Sequence, residues 1–158
     1  MSFSYGKKSE RKLAQLDRRM VCICREALAI LSQRGICDAT IFETLRSPRR
    51  QQYLYKTGKS KTLMSRHFPN QHGKSEAVDI VAWKGRPSWD VELMHEICRA
   101  MVIAANLSGH RVKWGGVWKL CSDLDPENLR GEIQKYVRER KALGRKPFID
   151  MAHFQLEP

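Results

Sequence analysis

At 158 residues, 42% hydrophobic and 29% charged, the chain is long enough to bury a core without disulfide or metal staples and too apolar to be disordered. Its 29 Lys and Arg against 17 Asp and Glu give a net charge of +12, a surface that attracts nucleic acid, anionic lipid or an acidic cell wall without choosing among them. Five cysteines, an odd count with no CxxC pair, argue against a complete disulfide framework and a zinc ribbon, and no apolar run approaches a membrane span.

The opening MSFSYGKKSERK is polar and basic with no apolar stretch behind it, so no signal peptide is expected and the thiols should remain reduced in a cytoplasm. Ser9 reads as the N-cap of one helix on which Leu13, Leu16, Met20, Ala27 and Leu31 recur, closed by Gly35. Cys22 and Cys24 fall inside that pattern and are expected as buried thiols. Ala39 to Leu45 is short and β-prone and reads as a strand. Pro48 starts a second helix that Gly58 ends. Lys59 to Ser75 is a polar loop. Glu76 to Trp83 reads as a strand, with Val78, Ile80 and Ala82 on one face and Ala77, Asp79 and Val81 on the other.

After a turn at Lys84 to Ser88, a helix is predicted from about Asp90 to Asn106, with Val91, Met94, Ile97, Cys98, Met101 and Ala105 on one face. Val112 to Val117 is a candidate strand entering a Gly-Gly turn. Asp125 and Pro126 form an N-cap and first-turn pair for a basic helix running to about Leu143. Phe148 to Leu156 is a last extended segment. With no repeat and no linker, the mixture predicts an α+β chain, helices packed around a small antiparallel sheet, in one domain over residues 1–158.

Two stretches could carry chemistry. Ser65 to Asp79 places His67, His72 and a carboxylate around a loop-to-strand junction, and Phe148 to Leu156 places Asp150 three residues before His153. A catalytic zinc takes three protein ligands and leaves a position for water, with a general base beside that water. His67, Asp79, His153 and Asp150 would fill those four roles. No HExxH helix fixes their geometry, and on spacing alone surface histidines with a buried carboxylate are the better account. His95 is expected to be structural or solvated, and His110 exposed.

The segments Ser65-Arg66-His67 and Ala77-Val78-Asp79 resemble the SxH…AxD motif of the zinc peptidases that include D-alanyl-D-alanine carboxypeptidases and phage L-alanyl-D-glutamate endolysins. Phe148-Ile149-Asp150-Met151-Ala152-His153-Phe154-Gln155-Leu156 is similar to that family's closing DxxH segment. Arg46, Gln51, Leu54-Tyr55, Gly58 and Ser60 resemble its upstream block. Trp114-Gly115-Gly116-Val117-Trp118 looks like its WGG-W turn, and the first ten residues resemble the start of single-domain phage endolysins. The five matches follow the family's order across most of the chain.

The resemblance implies a zinc ion, Zn2+, in a surface cleft, held by His67, Asp79 and His153. His72, seven residues before Asp79 where His67 is twelve before it, is the alternate ligand. Asp150 would be the general base, and Arg46 and Gln51 would line the cleft, Arg46 near a carbonyl oxygen or substrate carboxylate. In a regular strand Asp150 and His153 would point to opposite faces, so a bend is predicted between them, with the strand proper starting near His153.

The implied activity is an endolysin cutting the L-alanyl-D-glutamate bond of bacterial peptidoglycan. A D-alanyl-D-alanine carboxypeptidase is the alternative, and a basic nucleic-acid-binding protein a more distant one. The basic helix near 125–144 looks like an insertion that could touch anionic outer-membrane lipid. The protein is expected as a monomer with no nucleic-acid partner, made in the host cytoplasm and reaching the wall through a separate membrane-permeabilising protein.

Overall fold

In a computed structural model, described for residues 2–158, five helices pack around a six-stranded antiparallel sheet. The helices are α1 (Lys7–Leu13), α2 (Arg18–Arg34), α3 (Pro48–Lys56), α4 (Val91–Ser108) and α5 (Leu129–Ala142). The strands are β1 (Asp38–Glu43), β2 (Ala77–Trp83), β3 (Pro87–Ser88), β4 (Val112–Trp114), β5 (Lys119–Leu120) and β6 (His153–Leu156). The sheet runs β1-β2-β6-β4-β5, with β3 as a short flap on β2.

The single N-terminal helix expected from the apolar periodicity is two. Leu16 leaves the helical path to bridge Ser75, and Asp17 accepts from the Arg19 N–H as the N-cap of α2. Ser9 is therefore no cap. It lies inside α1, buried, where its hydroxyl accepts from the Ile41 N–H and ties the helix to β1. Both segments keep their apolar residues on the core side, which is why their pattern reads as continuous. Gly35 closes α2 in the left-handed conformation, as its position implied. Cys22 falls on the outer side of α2 and is exposed, contrary to expectation, while Cys24 is buried.

α2 and α4 form the layer beneath the sheet, burying Met20, Ile23, Leu31, Met94, Ile97 and Met101. β2 is central. Ala77 to Ala82 are buried on both faces, because helices cover one side and the loop and cleft elements cover the other. The Asp125–Pro126 pair caps a 3-10 turn (Pro126–Asn128), and α5 itself begins at Leu129 with Asn128 as N-cap. The final extended segment is a strand only from His153 onward. The candidate strand at Val112 ends at Trp114, because Gly115 to Val117 turn. Among the described residues no helix is long and apolar enough to cross a membrane.

Candidate metal centre and its cleft

Asp79 on β2 and His153 on β6 are direct partners across the antiparallel pair. Directly opposed residues on neighbouring strands place their side chains on one face, so sheet register alone brings these two together. His67 comes from the long loop. Ser65 starts that placement by accepting the His67 N–H through its hydroxyl at 3.1 Å, and the Arg46 N–H donates to the His67 carbonyl at 3.0 Å. The loop is thus stitched to the segment leaving β1.

Hydrogen bonds on the far side of each ring decide which nitrogen faces inward. His67 Nδ1 lies 2.6 Å from the Thr44 carbonyl, which can only accept, so Nδ1 carries the proton and Nε2 presents a lone pair. Gln155 Nε2 donates to the Glu157 carboxylate at 2.6 Å, which turns Gln155 Oε1 toward His153 Nε2 at 2.8 Å. His153 Nε2 must then donate, and Nδ1 of the neutral ring faces inward. The three inward atoms are close. His67 Nε2 is 3.3 Å from His153 Nδ1, and Asp79 Oδ1 is 3.1 Å from His153 Nδ1 and 3.3 Å from His67 Nε2.

Three acceptors facing one another at that range, all buried, could hold a metal ion. The close contacts also set the electrostatics of these groups. Burial alone would raise the Asp79 carboxyl, but the two imidazoles outweigh it and hold it well below the ordinary carboxylate range. Burial likewise opposes a charge on His153, and Asp79 more than reverses that, raising its pKa above the usual imidazole value.

Asp150 is brought alongside by the predicted bend. The His153 N–H donates to the Asp150 carbonyl at 3.2 Å, closing a turn over Met151 and Ala152. Gly115 supports that turn from both ends. Its N–H donates to the His153 carbonyl at 2.8 Å, and its carbonyl accepts the Asp150 N–H at 2.9 Å. A Cβ at Gly115 would lie 2.5 Å from the Asp150 carbonyl oxygen and 3.0 Å from the His153 Cβ, so only glycine allows this approach. Gly116 is constrained differently, since a Cβ there would enter the Trp114 indole. The Asp150 carboxylate borders the cleft, and its pKa is raised by burial and then by the charge of Asp79.

The family profile of the phage L-alanyl-D-glutamate peptidases matches residues 1–136. The chain belongs to the phage L-alanyl-D-glutamate peptidase family. This peptidase is 26% identical over 133 residues to the L-alanyl-D-glutamate peptidase of Escherichia phage T5, covering 83% of this chain and 93% of that protein. It also resembles the crystal structure of Serratia marcescens L-Ala D-Glu endopeptidase ChiX, with a TM-score of 0.65 and 28% identity over 98% of this chain and 90% of that one. The profile match ends before Asp150 and His153, and the structural likeness spans them.

The peptidase carries its three-acceptor group on the wall of an open cleft of about 810 Å³. Arg46 reaches it with its guanidinium clamped by Glu43 at 2.8 and 2.9 Å and by Gln51 Oε1 at 2.8 Å, and points one N–H at Asp79 Oδ2 at 3.4 Å. It holds one carboxylate oxygen while the other faces the histidines. Gln51, expected to line the cleft, borders it only from behind: it is 1% exposed and donates to Ser60 Oγ and the Thr62 carbonyl. His72 is not in the group. It is exposed, beside Gln71, in a separate shallow depression. His110 is exposed and His95 half-buried on α4.

Sequence reasoning missed Glu43, Gln155, Glu157 and Trp118. Gln155 was available from strand periodicity, since it lies two residues after His153 and so on the same face. Trp118 adopts φ 56°, unusual for a non-glycine residue, and thereby packs its indole against the His153 ring and stacks on Phe148.

Proposed function

We propose that the chain is a zinc-dependent endolysin that hydrolyses the L-alanyl-D-glutamate bond of peptidoglycan stem peptides, with His67, Asp79 and His153 as metal ligands and Asp150 as general base. The observation that carries the reading is the convergence of two imidazole lone pairs and one carboxylate oxygen on the wall of a cleft. Tetrahedral ligands about 2.0–2.1 Å from zinc lie about 3.3 Å from one another. The three donor pairs here are 3.1, 3.3 and 3.3 Å apart, one face of such a tetrahedron. The two-nitrogen, one-oxygen donor set suits zinc better than magnesium or calcium, which take oxygen.

Bound zinc would supply Lewis acidity, making water nucleophilic near pH 7 and polarising the scissile carbonyl. The chain's own residues do the rest. Asp150 stands beside the group with no side-chain hydrogen-bond partner among the described residues, free to take a proton from the attacking water and return it to the leaving amine of D-glutamate. Thr44 and Gln155 keep the two rings in the ligating tautomer. Arg46 fixes Asp79 and offers its remaining N–H to the carbonyl oxygen or a stem carboxylate. The +12 charge draws the enzyme to an anionic envelope, with exposed Lys135, Arg138, Lys141 and Arg145 on and after α5 as the part offered to outer-membrane lipid. It reaches the wall from the host cytoplasm through a separate membrane-permeabilising protein.

Metal analysis and product analysis test the reading together. The purified protein should hold about one zinc per chain. Mass spectrometry of digested peptidoglycan should show new N-terminal glutamate. Release of only terminal alanine would assign a D-alanyl-D-alanine carboxypeptidase instead.

A further inference from the structure

The cleft has two aromatic walls, and the chemistry above uses one. Trp118 stands against His153, with Phe148 stacked on it. The other wall is Phe42 and Trp89, packed edge to face at 4.9 Å with 38% and 52% of their surfaces exposed. A β-bulge puts Phe42 there. Ile41 pairs with Ile80 and Glu43 with Asp79, so Phe42 is the extra residue in β1, immediately before the residue opposite the metal-ligand candidate. Bulges beside active sites re-aim side chains, and here the re-aimed ring meets Trp89 at the end of the β3 flap. Large aromatic surface held open beside a reaction centre marks a binding wall.

The charges nearby indicate what it binds. Around Phe42 the cations are occupied: Lys12 donates to the Ile41 and Phe42 carbonyls, and Arg50 pairs with Glu43. Toward the other wall, Lys61 sits 5.7 Å from the Phe148 ring and Lys59 borders the cleft, neither with an acidic partner among the described residues. One end is thus apolar and aromatic without free charge, and the other carries uncommitted cations. A stem peptide has the same polarity. Its carboxylates lie after the scissile bond, and L-alanine is joined before it to an N-acetylated sugar.

We propose that Phe42 and Trp89 form a glycan subsite, on which the C–H face of the sugar bearing the stem peptide packs against the Trp89 indole. The stem then lies with its carboxylates toward Lys59 and Lys61. This rests on the peptidoglycan reading above. The subsite makes the enzyme prefer stems still attached to glycan over released peptides.

The test compares two substrates, the disaccharide-tetrapeptide and the same tetrapeptide without sugar, by kcat/KM for wild type, Trp89→Ala, Trp89→Tyr and Phe42→Leu. Wild type should prefer the sugar-bearing substrate. Trp89→Ala should lower that preference about fivefold to tenfold, chiefly through KM, and Trp89→Tyr should restore most of it. Addition of the peptide-free disaccharide should change the tryptophan fluorescence of wild type and not of Trp89→Ala. An unchanged preference in Trp89→Ala, or no preference in wild type, overturns the subsite. If wild type cuts neither substrate, the reaction assignment itself fails, a result distinct from loss of preference.

Discussion

Each ligand candidate depends on a neighbouring group that holds its orientation. The Thr44 carbonyl and Gln155 set the tautomers of His67 and His153, and Arg46 turns Asp79. His67→Ala should therefore abolish bound metal, while His72→Ala, an exposed residue outside the group, should leave metal content at the wild-type level; equal losses in both would remove His67 from the centre. Asp150→Asn should separate binding from chemistry. It keeps the shape and the metal but lowers kcat by about 10²–10⁴, the usual contribution of a general base. The cysteines offer an independent check of burial. Burial pushes the Cys24 and Cys121 thiols up to about 12 and Cys37 to about 11, and raises Cys98 as well, while Cys22 is exposed. A thiol reagent at pH 8 should titrate one group quickly in native protein and all five only in denaturant.

At the scale of elements, the segment from Phe148 to His153 is held by several others at once. Trp114 Nε1 donates to the Met151 carbonyl at 2.9 Å, Trp118 Nε1 to the Phe148 carbonyl at 2.8 Å, and Tyr136 on α5 exchanges bonds with the Phe148 backbone at 3.3 Å. Helix α5 therefore has a structural task besides its charge. Tyr136→Phe should cost about 0.5–1.5 kcal/mol in a denaturant melt and lower kcat with bound metal unchanged. Gly115→Ala should be worse, since the Cβ meets backbone rather than a flexible side chain; overpacking of this kind costs about 1–3 kcal/mol. These elements also show what was legible in the sequence. The bend before His153 followed from the need to point Asp150 and His153 the same way, and β2, α3 and α4 followed from their periodicity and caps. The break at Leu16 was hidden, because its cause is a bridge to Ser75, far along the chain. The Glu43–Arg46–Gln51 clamp was hidden likewise, since a bulge and a loop set its geometry, and neither leaves a periodic trace.

For the whole molecule, the excess of cations sets how stability answers to acid. Glu10, Asp17 and Glu127 are each held below the ordinary carboxylate range by a hydrogen-bonded arginine, Arg25, Arg19 and Arg99. A carboxylate with a lowered folded pKa binds protons more readily when unfolded. Its contribution is complete above the unfolded value of about 4 and is lost as pH falls through the lower folded one. Protonation also removes negative charge from a chain already at +12, so self-repulsion grows over the same range. The melting temperature should hold between about pH 5 and 7 and fall steeply below about pH 4. The two causes separate by salt. Repulsion among exposed cations is screened over about 8–10 Å at physiological ionic strength, whereas lost ion pairs are not recovered by screening. Added potassium chloride should therefore raise the melting temperature more at pH 4 than at pH 7 if repulsion dominates. A salt response equal at both values would assign acid unfolding to protonation of the carboxylates whose folded pKa is lowered, Glu43 and buried Asp79 among them, and not to the net charge.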